Sequence, residues 1–218
     1  MLRENLRIIR LIWGLFLYAA GIVLTVHANL GVSPWDVFHQ GLSRLSGITF
    51  GTASIVTGIV IVAASVLMKE HIGFGTLSNM VLIGVFIDML MMWRIMPEAQ
   101  TFVIGFVMMI AGLFVIAIAS FFYMGAGYGA GPRDTLMVVL ARRTGYPVGL
   151  CRAAVEGVAL LCGWLLGGHA GIGTVISAFG IGFAVQIVFT LLKFDVQAIH
   201  QETFAETYAR LKASRKPS

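Results

Sequence analysis

Apolar residues along this chain gather into six long runs, at about Leu11–Ala28, Phe50–Met68, Phe74–Trp93, Phe102–Met124, Val148–Leu166 and Ile172–Leu192. Each approaches or exceeds the length of helix needed to cross a bilayer, about 20 residues. The polar stretches between the runs are short, with two exceptions. Leu30-Gly31-Val32-Ser33-Pro34-Trp35-Asp36-Val37-Phe38 follows the first run, and Gly125-Ala126-Gly127-Tyr128-Gly129-Ala130-Gly131-Pro132-Arg133-Asp134 follows the fourth. Each leads into about a dozen residues that read as a short helix, over 34–45 and 132–143. Pro34 and Pro132 suit a first helical position, where the missing N–H costs nothing and φ is preset. Ser33 suits an N-cap, and Asp36 can reach back to it as in a capping box. A dozen residues cannot span a bilayer. These helices are therefore expected to lie at the surface or to dip in as half-helices, which is tolerated only where irregular backbone is buried in protein or lines a cavity.

The two exceptions are copies of each other. Shifting the chain by 98 residues places Gly14, Gly31, Gly47, Gly51, Gly73, Gly75 and Gly84 on Gly112, Gly129, Gly145, Gly149, Gly171, Gly173 and Gly182. These seven coincidences compare with about two expected by chance, and Pro34, Asp36 and Thr76 return at the same spacing as Pro132, Asp134 and Thr174. Such self-similarity marks a tandem duplication. The first repeat covers residues 8–97 and the second 102–193, with a tail over 194–218. Three spans per repeat is an odd number, so the second copy enters the membrane upside down. That is the inverted-topology arrangement of many secondary transporters. The fold expected is all-α and polytopic: six transmembrane helices as two inverted three-helix repeats, each with a short Pro-initiated broken or re-entrant helix.

Composition agrees with a membrane protein. The chain is 58% hydrophobic and 11% charged, far from a soluble domain. Its net charge of +5 does not point to nucleic acid. With the N-terminus inside, 13 of the 15 Lys and Arg residues fall on or near the cytoplasmic side, and only Arg44 and Arg94 fall outside. This positive-inside bias predicts six spans with both termini cytoplasmic. The basic start and first apolar run resemble a signal peptide, but the run is long, lacks a clean cleavage site and has a partner in the fourth span, so it is expected to be retained. Cys151 and Cys162 lie too far apart on one helix to form a disulfide. The tail from Asp195 to Lys212 reads as an amphipathic surface helix with Val196, Ile199, Phe204, Tyr208 and Leu211 on its apolar face.

The residues that could carry chemistry cluster at the broken segments. Helix N-termini attract anions, while an Asp there can instead take a proton or a cation, or simply cap its own helix. Asp36 and Asp134 admit both readings. Asp36, His39, Gln40 and Ser43 share one face of the first short helix; the second is mostly apolar, so any shared site is asymmetric. Trp35 becomes Arg133, placing a cation among carboxylates, either for a substrate anion or for a permanent Asp–Arg pair. Arg152 and Glu156 are one turn apart in the fifth span, where an acid costs a few kcal/mol unless it faces protein or water. They read as a buried pair or as a gating or proton-coupling element. Asn79 and Asp88, with counterparts Ser177 and Gln186, form a further polar set. His27 and Asn29 end the first span beside the first broken segment. His71 and His169 read as loop hydrogen-bonding residues. No phosphate-binding, zinc-protease or nucleophile-elbow motif is present, so neither an enzyme nor a cofactor is expected.

The segments around Pro34 and Pro132, Arg152 with Glu156, Gly163-Trp164-Leu165-Leu166-Gly167-Gly168 and Gly171-Ile172-Gly173-Thr174 resemble the YczE/YyaS/YitT-type bacterial integral membrane proteins over nearly the whole chain. The resemblance implies a bacterial inner-membrane protein of this size and carries no substrate with it. The expectation is a small-solute secondary transporter working by alternating access. Asn29, Ser33, Trp35, Asp36, His39, Arg133 and Asp134 would form the site, with Arg152, Glu156, Asn79 and Asp88 as coupling or gating residues. Its partners would be the bilayer and a small polar or charged solute, with homo-oligomerisation open. The alternative is a non-transporting accessory protein that binds a partner or lipid; that reading predicts fully paired intramembrane charges and no central cavity.

Overall fold

Both proline segments start helices where the local chemistry favours them. In a computed structural model that describes residues 2–70, 72–195 and 198–214, Pro34 and Pro132 each open a 13-residue helix. Ser33 accepts a hydrogen bond from the Asp36 backbone N–H, and Gly47 and Gly145 close the helices in left-handed conformation. In chain order the elements are α1 (Leu2–His27), α2 (Pro34–Ser46), α3 (Phe50–Leu67), α4 (Phe74–Trp93), α5 (Phe102–Met124), α6 (Pro132–Thr144), α7 (Val148–Leu165), α8 (Ile172–Leu191) and α9 (Phe204–Ser214). The described residues contain no strand. Six of these helices, α1, α3, α4, α5, α7 and α8, are long and apolar enough to cross a membrane. Their outward faces are apolar, with residues such as Val60, Val107, Trp164 and Phe183 exposed.

The duplication is visible in the backbone. Residues with left-handed φ recur at the sequence spacing: Asn29 with Gly127, Gly31 with Gly129, Gly47 with Gly145 and Lys69 with Gly167. The halves also exchange equivalent contacts. The Gly173 N–H donates to the Leu30 carbonyl at 2.7 Å, and the Gly75 N–H donates to the Tyr128 carbonyl at 2.6 Å. At each crossing a glycine lets two backbones meet. A Cβ on Gly31 would lie 2.5 Å from the Gly171 nitrogen, and one on Gly129 would lie 2.8 Å from the Gly73 Cα. Only glycine combines that approach with φ values of +99° and +113°.

α1 and α5, the first helices of the two halves, form the longest packed pair. Gly14 meets Tyr123 and Gly112 meets Thr25, again equivalent positions. The main core of Leu11, Leu15, Val23, Ile83 and Ile87 gathers α4 onto α1, and Leu113, Ala117, Ala184 and Val188 gather α8 onto α5. α2 packs on α7 and α6 on α3, so each short helix leans on the other half. The correspondence fails at one place. α3 packs along α4, whereas α7 and α8 have no comparable contact. Gly51 sits against the Gly84 carbonyl, yet its counterpart Gly149 and the counterpart of Gly84, Gly182, meet nothing within 4 Å. Asp88 secures the packed pair, accepting from the Gly51 N–H at 2.7 Å and from the Thr49 hydroxyl.

Two boundaries differ from the sequence reading. α1 begins well before the apolar run, because Arg7 donates to the Ala126 carbonyl at 3.0 Å and Arg10 to that of Phe121 at 3.2 Å, giving the basic start a tertiary anchor. In the tail, residues 198–203 are irregular and helix begins only at Phe204. The reason is a reciprocal cap: Thr203 Oγ1 accepts from the Glu206 N–H at 3.3 Å while Glu206 Oε2 accepts from the Thr203 N–H at 2.7 Å. Those hydrogen bonds hold the Glu206 carboxyl below its usual range. The irregular stretch docks instead of lying free. The Glu202 N–H bonds the Gly127 carbonyl at 3.0 Å, and the Glu202 carboxylate meets Arg7 and Arg210, each at 2.9 Å. The expected roles of His71 and Val196 lie outside the described residues, as does the side chain of Leu211.

The unequal helix pairs predict unequal responses to the same substitution. Gly51→Ala forces a methyl into the Gly84 backbone and costs roughly 1–3 kcal/mol, read as a fall of several degrees in melting temperature. Gly149→Ala, at the equivalent position, leaves the melting temperature unchanged within a degree or so. Equal losses at both positions would contradict the packing described.

Candidate functional site

The two short helices and the third helices of each half bring their polar side chains to one cavity of about 140 Å³. It is lined by α1, α2, α3 and α4 from the first half and by α5, α6, α7 and α8 from the second. Of its 28 lining residues, 24 form twelve pairs separated by 98 positions, including Pro34 with Pro132, Asp36 with Asp134, Ser54 with Arg152, Gly58 with Glu156 and Asn79 with Ser177. The space suits a few waters, at roughly 30 Å³ each, or one small solute. It is too small for ligands that need roughly 300 Å³ or more.

The two aspartates have taken different roles. Asp36 is buried, accepts from the Ser33 hydroxyl at 2.6 Å, and lies 3.4 Å from His39 Nδ1 through its other oxygen. That last pair is close but not oriented for a hydrogen bond, and both atoms are otherwise unpartnered. Asp36 therefore serves its own helix start. Asp134 has Gly131 before it, which offers no side chain to cap. Its carboxylate is open to the cavity, and its one side-chain partner is the Tyr123 hydroxyl, which donates at 3.3 Å.

Arg133 forms no ion pair with either aspartate. Its guanidinium lies 5.1 Å from the centre of the Trp35 ring, a cation–π contact, and 3.5 Å from His39 Nε2. The indole N–H of Trp35 is buried without a partner. Further along, Arg152 Nε donates to Glu156 Oε1 at 2.9 Å. The Glu156 side chain is 17% exposed and that of Arg152 49%, so the pair sits where the cavity meets the gap beside α7.

Nine of the expected site residues thus converge: Ser33, Trp35, Asp36, His39, Asn79, Arg133, Asp134, Arg152 and Glu156 all line the cavity. Asn29 does not. It is exposed and reaches the Ala99 carbonyl at 3.4 Å, beside His27, which bonds the Met96 carbonyl at 2.8 Å. Asp88 also lies elsewhere, holding α3 to α4. Tyr18 and Tyr123 line the cavity and were not anticipated. Their signal was a phenol on an otherwise apolar span, and Tyr123 stands 98 residues after Thr25, another lining residue.

Comparison with known proteins agrees with a membrane protein. The family model described as "Family of unknown function (DUF6198)" matches residues 5–190, and the chain belongs to that family, a multi-pass membrane protein. It is 38% identical over 175 residues to the uncharacterised membrane protein YczE of Bacillus subtilis (strain 168), covering 79% of this chain and 80% of the relative. It is 29% identical over 182 residues to an uncharacterised protein of Haemophilus influenzae, covering 84% and 83%. YyaS of B. subtilis, also uncharacterised, is 22% identical over 170 residues, covering 75% and 83%. The YczE and YyaS matches bear out the resemblance read from the motifs. No solved structure matches.

The Arg152–Glu156 contact is testable as a pair. Removing either partner leaves the other charge uncompensated at the cavity edge. Arg152→Gln and Glu156→Gln each lower the melting temperature, and the double variant loses less than the sum. A double-mutant cycle should return a coupling of about 1 kcal/mol for so exposed a guanidinium; additivity would exclude an energetic pair.

Proposed function

We propose that this chain is a secondary transporter of the bacterial inner membrane, built as two inverted repeats. It moves a small polar or charged solute by alternating access and carries out no enzymatic step. The observation that carries the reading is the lining of the cavity by equivalent residues from both halves. In inverted-repeat transporters the solute site lies near mid-membrane at the interface between repeats, beside discontinuous helices. α2 and α6 take the part of those helices, dipping in from opposite faces with their irregular lead-in backbone buried against the other half. The distribution of Lys and Arg puts both termini in the cytoplasm.

The unequal helix pairs supply the motion. With the N-terminus inside, the docked α3–α4 pair closes the outer face, and the parted α7–α8 pair leaves the cavity open to the cytoplasm beside Arg152 and Glu156. Exchanging the two arrangements, with Gly149 brought onto Gly182 and Gly51 withdrawn from Gly84, gives the outward-facing state. The unused glycines on α7 and α8 thereby gain a purpose that packing in the present state does not give them. The accessory-protein reading is less favoured, because it requires the intramembrane charges to be paired, and Arg133 and Asp134 are not.

Pro147 and Gln186 are the counterparts of the touching pair Thr49 and Asp88. In a background lacking Cys151 and Cys162, Pro147→Cys with Gln186→Cys should form an oxidative crosslink in native membranes. The crosslink should block access of an impermeant thiol reagent to the cavity from the cytoplasmic side. Failure to crosslink, with both single cysteines reactive toward a maleimide, would rule out the proposed closure.

A further inference from the structure

On the reading of the cavity as a solute site, its open charges specify the solute. The charged side chains at the cavity are Asp36, Arg133, Asp134, Arg152 and Glu156. Arg152 and Glu156 neutralise each other at 2.9 Å, and Asp36 is engaged with Ser33 and packed beside His39. One cation, Arg133, and two carboxylates remain, Asp36 held at its own helix start and Asp134 open to the cavity. Arg133 has no carboxylate within ion-pair distance among the described residues, and Asp134 has no cation within that distance. They are adjacent in sequence and diverge by about 100° around α6, so they face the cavity as two separate poles. An unpaired charge in such surroundings is costly.

Each pole carries its own supporting groups. Around Gly131, a point one Cβ from the backbone lies 3.4 Å from Asp134 Oδ2, 3.5 Å from the Tyr123 hydroxyl and 3.6 Å from Asn79 Nδ2. Three polar atoms thus converge on one empty spot, and Gly131 has no side chain to fill it. Among the described residues the Asn79 side chain has no hydrogen-bond partner. At the other pole the Arg133 guanidinium lies over the Trp35 ring with one nitrogen 3.5 Å from His39 Nε2, which leaves its other N–H groups for an acceptor. A small anion would satisfy Arg133 and be repelled by Asp134; a small cation would do the reverse. One molecule bearing both charges satisfies both.

We infer that the cavity binds a small amino-acid-like zwitterion, its anionic group on Arg133 and its ammonium on Asp134 and the Tyr123 hydroxyl oxygen. The cavity volume of about 140 Å³ limits it to a handful of non-hydrogen atoms.

The test is binding to the purified full chain in lipid nanodiscs, which requires no transport. Thermal shift and isothermal titration would compare glycine, β-alanine and 4-aminobutyrate, whose charges stand progressively further apart, with acetate and methylammonium. At least one zwitterion should bind ten-fold or more tighter than either singly charged probe. Arg133→Gln and Asp134→Asn should each weaken that zwitterion ten-fold or more, while acetate should bind no weaker to Asp134→Asn and methylammonium no weaker to Arg133→Gln than to the wild type. Acetate or methylammonium binding as tightly as the best zwitterion would overturn the inference, as would no binding of any of the five to protein that remains monodisperse. The wild-type comparison stands even if the variants misfold. Zwitterion binding without the 147–186 crosslink would retain this site and remove the transport cycle; the crosslink with anion-only binding would do the opposite.

Discussion

Everything in this molecule hangs on two places where backbone crosses backbone. Leu30 and Gly31 run against Gly171–Thr174, and Tyr128 and Gly129 run against Gly73–Thr76, each crossing sealed by an amide hydrogen bond and made possible by a glycine with positive φ. In a low-dielectric interior the polar groups of an interrupted helix must find partners within the protein. Here each half supplies them for the other. Neither half could bury its own break alone, so the two copies are bound to one another as firmly as helices are within a copy. The same crossings set where α2 and α6 begin, and therefore where Asp36, Arg133 and Asp134 stand.

From that arrangement the electrostatics of the cavity follow. Duplication delivers two equivalent aspartates, and divergence at the neighbouring positions assigns them different work. Ser33 in the first half turns Asp36 inward to its own helix end; Gly131 in the second leaves Asp134 facing space. Trp35 and Arg133, the next equivalent pair, no longer resemble each other, yet they meet in a cation–π contact. A symmetric frame thus holds an asymmetric set of charges, which a polar solute of definite orientation requires.

Much of this was legible beforehand because the signals were local. The prolines at 34 and 132 and the lengths of the six apolar runs fixed the elements within a few residues, apart from the start of α1 and the tail helix. The 98-residue register brought Asp36 and Asp134 to one region without any structure. What stayed hidden depends on contacts between distant segments. Asn29 and Asp88 carry polar groups of the right type, but one is drawn to the Ala99 loop and the other to the start of α3, partners that no local pattern encodes. The Thr203–Glu206 cap was readable and went unread because the apolar spacing of the tail suggested a longer helix. The parting of α7 from α8 has no signal in the glycines, which are the same in both halves; the sequence difference lies in Pro147 and Gln186, which replace Thr49 and Asp88.

The tail breaks the symmetry of the two crossings in a further way. Glu4, Arg7, Glu202 and Arg210 form a charge cluster over the Gly127–Gly129 crossing, with Arg210 reaching both glutamates and Arg7 stacked on Tyr128. The opposite crossing has only backbone and amide contacts from the Ala99 loop. Partly exposed ion clusters weaken as dissolved salt screens them, whereas backbone hydrogen bonds are far less affected. The firmness of one crossing is therefore tied to the ionic strength of the surrounding water, while that of its counterpart rests on backbone hydrogen bonds that salt barely touches.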